Sequence, residues 1–178
     1  VYTLRKTALR MYPFYRKIVR SRTYSDLWAK AVVKADLDAM QKLLFAAIGK
    51  QNLASLSTNA IGYFVDFPVR GSKTDVVSAS TSIRPGQVQF TFSAAVHRRI
   101  AKAVLPFYRE LVLNKGYAVQ VVRAIRTQNA GLLEKLVRSK VPTSALRKVE
   151  AGNGFFLGFK YPQSKYVYYN QIFQDRLL

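Results

Sequence analysis

Ile61-Gly62-Tyr63-Phe64-Val65-Asp66-Phe67-Pro68-Val69 is the stretch on which the fold class of this chain turns. Ile61, Tyr63, Val65, Phe67 and Val69 alternate with Gly62, Phe64, Asp66, Pro68 and Arg70, the period of a strand. Pro68 has no N–H to give to a ladder, so this end belongs at a strand terminus or a sheet edge. Downstream, Gly71-Ser72 predicts a turn and Thr74–Ile83 a β-branched, serine-rich strand. Arg84-Pro85-Gly86-Gln87 predicts a type II turn into a third strand over Val88–Phe92. A three-stranded antiparallel meander is the economical reading.

Upstream the period is helical. Leu4, Ala8, Met11, Tyr12, Tyr15, Ile18 and Val19 recur at three- and four-residue steps, with Pro13 as a kink or first-turn residue. The bases lie mostly off that stripe, so residues 1–22 read as a basic amphipathic arm or helix preceding a single α+β domain over 23–178. Thr23-Tyr24-Ser25-Asp26 has the form of a capping box. One long core helix is expected after it, with Trp28 as a packing residue and Gly49 as the stop.

Beyond the meander, Ser93 predicts the N-cap of a second basic helix, interrupted at Pro106 and ended by Gly116. Residues 117–128 fit either period and are read as helix. A further helix is expected around Leu132–Val137 and a short one over 143–149. Gly152-Asn153-Gly154 then breaks the chain before an aromatic hairpin, 155–161 and 165–173. Meander and hairpin together predict an antiparallel sheet of about five strands packed with helices. The hairpin is apolar on both faces, which calls for burial by its own helices or by a neighbouring subunit. No internal repeat or Gly/Ser linker is expected.

Composition narrows the function. The 178 residues are 49% hydrophobic, enough for a sizeable core, and carry 29 Lys and Arg against 9 Asp and Glu, a net charge of +20. The surplus is uneven: residues 1–25 hold +7 and residues 97–126 hold +6. Like charge at that density repels itself until counterions or a partner neutralise it, which favours polyanionic partners. Polyanion contact is therefore expected through Arg5, Lys6, Arg10, Arg16, Lys17, Arg20 and Arg22 of the first segment and Arg98, Arg99, Lys102 and Arg109 of the second. The absence of cysteine removes disulfides, thiolate metal sites and cysteine nucleophiles, and the single His97 removes any site needing two histidines.

Familiar catalytic motifs fail on inspection. Gly152-Asn153-Gly154 with Gly158 has its third glycine one residue late for a dinucleotide fingerprint and precedes a strand instead of a helix. Gly71-Ser72-Lys73-Thr74 lacks the leading glycine of a phosphate loop, since Asp66 stands there. Asp36 and Asp38, two apart on a helix, face different ways, and His97 is expected as a surface or cap-region residue. No recognition-helix or ribonucleoprotein aromatic motif marks a sequence reader. No stretch is long and apolar enough to span a bilayer, and the N-terminus has no secretory h-region. The expectation is a non-enzymatic structural or assembly protein, without metal or cofactor, that self-associates and contacts polyanions such as nucleic acid. The alternatives are a monomeric, non-sequence-specific nucleic-acid-binding protein and a peripheral protein that lays its N-terminal helix on a membrane surface.

Overall fold

Helices come in two trios, and each trio is followed by three strands. The structure, a computed structural model, describes residues 1–174. The first trio is α1 (Tyr2–Arg20), α2 (Arg22–Val33) and α3 (Leu37–Ile48), followed by β1 (Ser55–Thr58), β2 (Gly62–Pro68) and β3 (Val76–Ile83). The second is α4 (Ala94–Leu113), α5 (Lys115–Arg126) and α6 (Ala130–Arg138), followed by β4 (Leu146–Ala151), β5 (Gly154–Phe159) and β6 (Tyr168–Gln174). The six strands form one antiparallel sheet in the order β1-β2-β3-β6-β5-β4. Exchanging the halves reverses that order onto itself, so a pseudo-two-fold axis runs between β3 and β6.

The sequence carries the same duplication. Residues 11–19 read Met-Tyr-Pro-Phe-Tyr-Arg-Lys-Ile-Val and residues 104–112 read Val-Leu-Pro-Phe-Tyr-Arg-Glu-Leu-Val. Asn59 to Phe67 is matched in the same way by Ala151 to Phe159, with Gly62-Tyr63-Phe64-Val65 against Gly154-Phe155-Phe156-Leu157. The order of buried, half-buried and exposed positions is identical over 4–20 and 97–113. Even single hydrogen bonds recur. Tyr24 donates its hydroxyl to the carbonyl of Leu43 at 2.7 Å, and Tyr117 donates to that of Leu136 at 2.7 Å. The expectation of no repeat is therefore corrected. Few identities survive outside two short runs, and it is the burial pattern that exposes the duplication.

Several element boundaries also differ from expectation. The long helix is two, because Ala35 adopts a left-handed φ of 52° and the Asp36 carboxylate then accepts the Ala39 N–H as a new N-cap. Ser21, not Thr23, caps α2, accepting the Tyr24 N–H. The first meander is β1-β2-β3: the Val88–Phe92 stretch is a loop with Phe90 at φ 52°, and the segment between Gly49 and Ile61 supplies β1 instead. The short helix expected over 143–149 gives way to β4. Gly116 lies inside α5, and Asn114 caps that helix by accepting the Tyr117 N–H.

The helix layer packs on the sheet face that carries Tyr63, Val65, Phe67, Phe155, Leu157 and Phe159, all fully buried. The basic amphipathic helix expected at the N-terminus is α1, and it lies along α4 in the middle of that layer. Its Leu4, Ala8, Met11, Phe14, Tyr15 and Ile18 have no exposed surface. Where the two halves meet, a chain of hydrogen bonds crosses the interior. Tyr108 donates to the Asn170 carbonyl oxygen at 3.0 Å, and the Asn170 amide donates to the hydroxyls of Tyr15 and Thr81 at 2.9 and 3.1 Å. Tyr63 donates to the same Thr81 hydroxyl at 3.2 Å. Burying so many hydroxyls is tolerable because each has a partner.

Candidate polyanion interface

The two basic segments, far apart in sequence, are neighbours in space. Arg5, near the start of α1, donates to the carbonyls of Leu111 and Val112 in the last turn of α4 at 3.2 and 2.7 Å. The two helices therefore run antiparallel, and Arg5 serves the orphan acceptors at the negative end of α4. Their outer faces form a shallow groove lined in turn by Leu9, Tyr12, Arg109, Val112 and Leu113 and by Tyr12, Lys102, Leu105, Pro106 and Arg109, where Glu110, paired with Lys140, and Leu113 complete the wall.

Each cation expected to meet a polyanion can now be placed. Arg5 is engaged as described, and Lys6 donates to the Tyr2 hydroxyl at 3.1 Å. Arg10 sits 4.8 Å over the Phe67 ring, and Lys17 lies 4.9 Å over Tyr24 and reaches toward the Ala46 carbonyl. Arg98 donates to Ser25 and Asp26 at 3.2 Å each, and Arg99 lies 5.8 Å over Tyr161. Arg16, Arg20, Arg22, Lys102 and Arg109 are exposed and form no hydrogen bond or ion pair with any described residue. Four of these five stand on α1 and α4; Arg22 begins α2. The structure thus divides the expected set into cations with an intramolecular contact and cations with no hydrogen bond or ion pair among the described residues.

The duplication adds an internal comparison. Cations stand at equivalent positions in both halves at Arg5 and Arg98, Lys6 and Arg99, Arg16 and Arg109, Arg22 and Lys115, Lys30 and Arg123, and Lys42 and Lys135. No acid of one helical trio has an acid at the equivalent place in the other. Of the pairs on α1 and α4, Arg16 and Arg109 are the one pair in which neither member has a hydrogen bond, ion pair or ring contact among the described residues. The antiparallel register that sets Leu9 beside Arg109 in the groove sets Arg16 beside Lys102 across the axis.

His97 is the clearest correction. Expected at the surface or a cap, it is fully buried, with Nε2 sharing a 2.9 Å hydrogen bond with the Tyr63 hydroxyl and Nδ1 unpartnered among the described residues. Burial, reinforced by the adjacent Arg98 charge, lowers its pKa to about 3, so it is neutral at ordinary pH. Burial raises the Tyr63 and Tyr108 phenols well above their usual value. These groups neither ionise nor reach solvent, and they serve packing. No cluster of three His, Asp or Glu suited to a metal ion occurs among the described residues, and no helix among them is long and apolar enough to cross a membrane.

Comparison with known proteins gives no matching family model, no similar curated protein and no similar solved structure. The reading of this face rests on its own residues.

Proposed function

We propose that this protein is a non-enzymatic polyanion-binding protein, with nucleic acid as the partner, and that the outer face of the α1–α4 pair is the binding surface. One observation carries the reading: Arg16, Arg20, Lys102 and Arg109 stand unpaired among the described residues on two helices packed side by side, in a chain of net charge +20. Phosphate recognition of this kind needs positioned charge and no base-reading motif. The buried face of α1 is committed to the core, so the membrane alternative lacks the apolar stripe that would insert into lipid.

Self-association belongs to the same reading. Leu9 and Leu113, 56% and 67% exposed, sit at one end of the groove, while their equivalents Lys102 and Arg20 make the other end cationic. Copies carrying +20 repel one another, and a bound polyanion removes that repulsion, so assembly through the leucine end is conditional on the partner. The sheet edges do not offer a competing route. β1 has four residues, and β4 presents Arg147 and Lys148 to solvent; short and charged edges resist strand addition.

Fluorescence anisotropy with a labelled duplex oligonucleotide over a salt series tests this. The wild type is expected to lose affinity steeply with salt. The double variant Arg16→Gln/Arg109→Gln is expected to bind more weakly, with the slope of log K against log salt reduced by about 2, near 1 for each phosphate no longer neutralised. Binding that ignores salt, or a double variant indistinguishable from wild type, would remove the reading. Sedimentation with and without the oligonucleotide tests the coupling: larger species are expected only when it is present, and Leu113→Glu is expected to suppress them.

A further inference from the structure

One cleft in the first half has its equivalent place occupied by larger side chains in the second. At the start of α1, Tyr2, Thr3, Lys6, Thr7 and Arg10 share a face by their three- and four-residue spacing. That face looks onto the end of β2, where Arg70 follows Pro68 and Val69. The space between holds about 170 Å³, and its lining contains three cations and no acid. In the second half the corresponding place is filled. The equivalents of Val69 and Val77 are Tyr161 and Tyr168, both buried, and Arg99, the equivalent of Lys6, lies over the Tyr161 ring. The cleft is therefore what remains when two tyrosines are replaced by two valines and a proline, Pro162, by Arg70.

We propose that this cleft is a binding site for a phosphate group, with Lys6, Arg10 and Arg70 as its cationic ligands and Tyr2 and Thr3 at its rim. Arg10 is partly ordered before any ligand arrives. Its guanidinium lies 4.8 Å from the Phe67 ring centroid, a contact that restrains the side chain and lowers the ordering cost of a further contact. Lys6 and Arg70 also act on the Tyr2 phenol, whose pKa is lowered by its hydrogen bond to Lys6 and by the Arg70 charge. That lowering comes from the same two cations that line the cleft, and a surrounding that favours a phenolate also favours an anionic ligand. Asp75, whose carbonyl accepts the Val69 N–H, does not line the space. The site adjoins the α1–α4 groove through Tyr2 and Lys6 but includes neither Arg16 nor Arg109, and it does not depend on the polyanion reading.

The phosphate could come from the end of a nucleic acid strand or from a small phosphorylated molecule, and the full-length protein distinguishes them. Isothermal titration with inorganic phosphate, and anisotropy with otherwise identical 5′-phosphorylated and 5′-hydroxyl oligonucleotides, are run on wild type, Arg70→Gln and Val69→Tyr. Val69→Tyr copies the second half, filling the cleft while leaving every charge in place. Wild type is expected to bind phosphate, Arg70→Gln to bind it at least about tenfold more weakly, as loss of one charge-assisted hydrogen bond implies, and Val69→Tyr to lose it. A preference for the 5′-phosphorylated strand that Val69→Tyr abolishes assigns the cleft to strand ends. Phosphate binding without such a preference assigns it to a small ligand. Phosphate affinity that is absent, or unchanged in Val69→Tyr and Arg70→Gln, overturns the proposal, whatever the variants of Arg16 and Arg109 show on duplex.

Discussion

Tyr15 and Tyr108 occupy equivalent places in the two halves, and their rings meet edge to face 5.0 Å apart close to the pseudo-two-fold axis. Other buried positions are mixed: Ala8 and Phe14 recur as Ala101 and Phe107, whereas the positions of Leu4 and Ile18 in α1 are held by His97 and Leu111 in α4. On the surface the divergence goes as far as reversal. Lys17 reaches from α1 toward α3, whereas Glu110 at the equivalent place on α4 pairs with Lys140 at 3.4 Å beyond α6. The comparison teaches that the shape of the helix–sheet packing is held in both copies while its polar chemistry is free to change. The cationic positions repeated on the outside stand apart from that freedom, because packing does not require them.

The largest expected effect tests whether the halves obey one packing rule. Gly62 and Gly154 are equivalent, and a Cβ on either would overlap the neighbouring strand, at 2.2 Å from Ser82 Cβ and at 2.0 Å from the Ile172 carbonyl oxygen. Neither neighbour is the loose end of a long side chain, so the backbone would have to give. Gly62→Ala and Gly154→Ala are each expected to cost about 3 kcal/mol, at the upper end of overpacking penalties, read as the midpoint shift in urea unfolding. Gly158→Ala meets only ring atoms of Tyr169 and the Lys148 side chain at 3.1 Å and beyond, and is expected to cost much less. A mild Gly154→Ala beside a severe Gly62→Ala would break the equivalence.

The second test uses a place where the halves differ. The folded protein keeps His97 neutral down to about pH 3, whereas the unfolded chain takes up its proton near 6.5. Between those values the unfolded state binds the additional proton, so stability falls as pH falls and the loss is complete near pH 3. His97→Leu installs the residue type that the first half has at Leu4 and removes this dependence. Between pH 7 and pH 5 the wild type is expected to lose about 2 kcal/mol more than the variant, from 1.36 kcal/mol per pH unit below 6.5. Parallel stability curves for the two proteins would show that His97 is not held neutral by the fold.

Which parts of this molecule were legible in its sequence follows from where the information lies. The strand over 61–69, the hairpin after Gly154 and the Ser93 cap declare themselves through neighbouring residues, and the fold class follows from them. The break at Ala35 does not: alanine is the best helix former, and only the Asp36 cap and the packing of α3 across α1 impose a left-handed residue there. β4 was hidden because Arg147, Lys148 and Glu150 give an edge strand no apolar alternation. The basic segments were visible as charge, but no spacing rule separates Arg16, which is free, from Arg5, which serves carbonyls of α4 more than 100 residues away. His97 was misplaced for a related reason, since the Tyr63 hydroxyl that makes its burial tolerable comes from the sheet.

The smallest effect sharpens the comparison most finely. Asp36 and Asn129 are equivalent N-caps. Each accepts a backbone N–H three residues on, from Ala39 at 3.0 Å and Leu132 at 2.9 Å, and each follows a residue at φ 52°, Ala35 and Gln128. A carboxylate at a helix N-terminus gains from the macrodipole where a neutral amide gains only the hydrogen bond. Asp36→Ala is therefore expected to cost slightly more than Asn129→Ala, both near 1 kcal/mol. Asp36→Asn is expected to bring the first half to the second half's value, and the difference between halves should shrink in high salt because only the charge term is screened. If the two alanine variants differ by more than the charge explains, and salt leaves the gap intact, the two turns are alike in geometry but not in energetics, and the left-handed residues at 35 and 128 must be held by different packing.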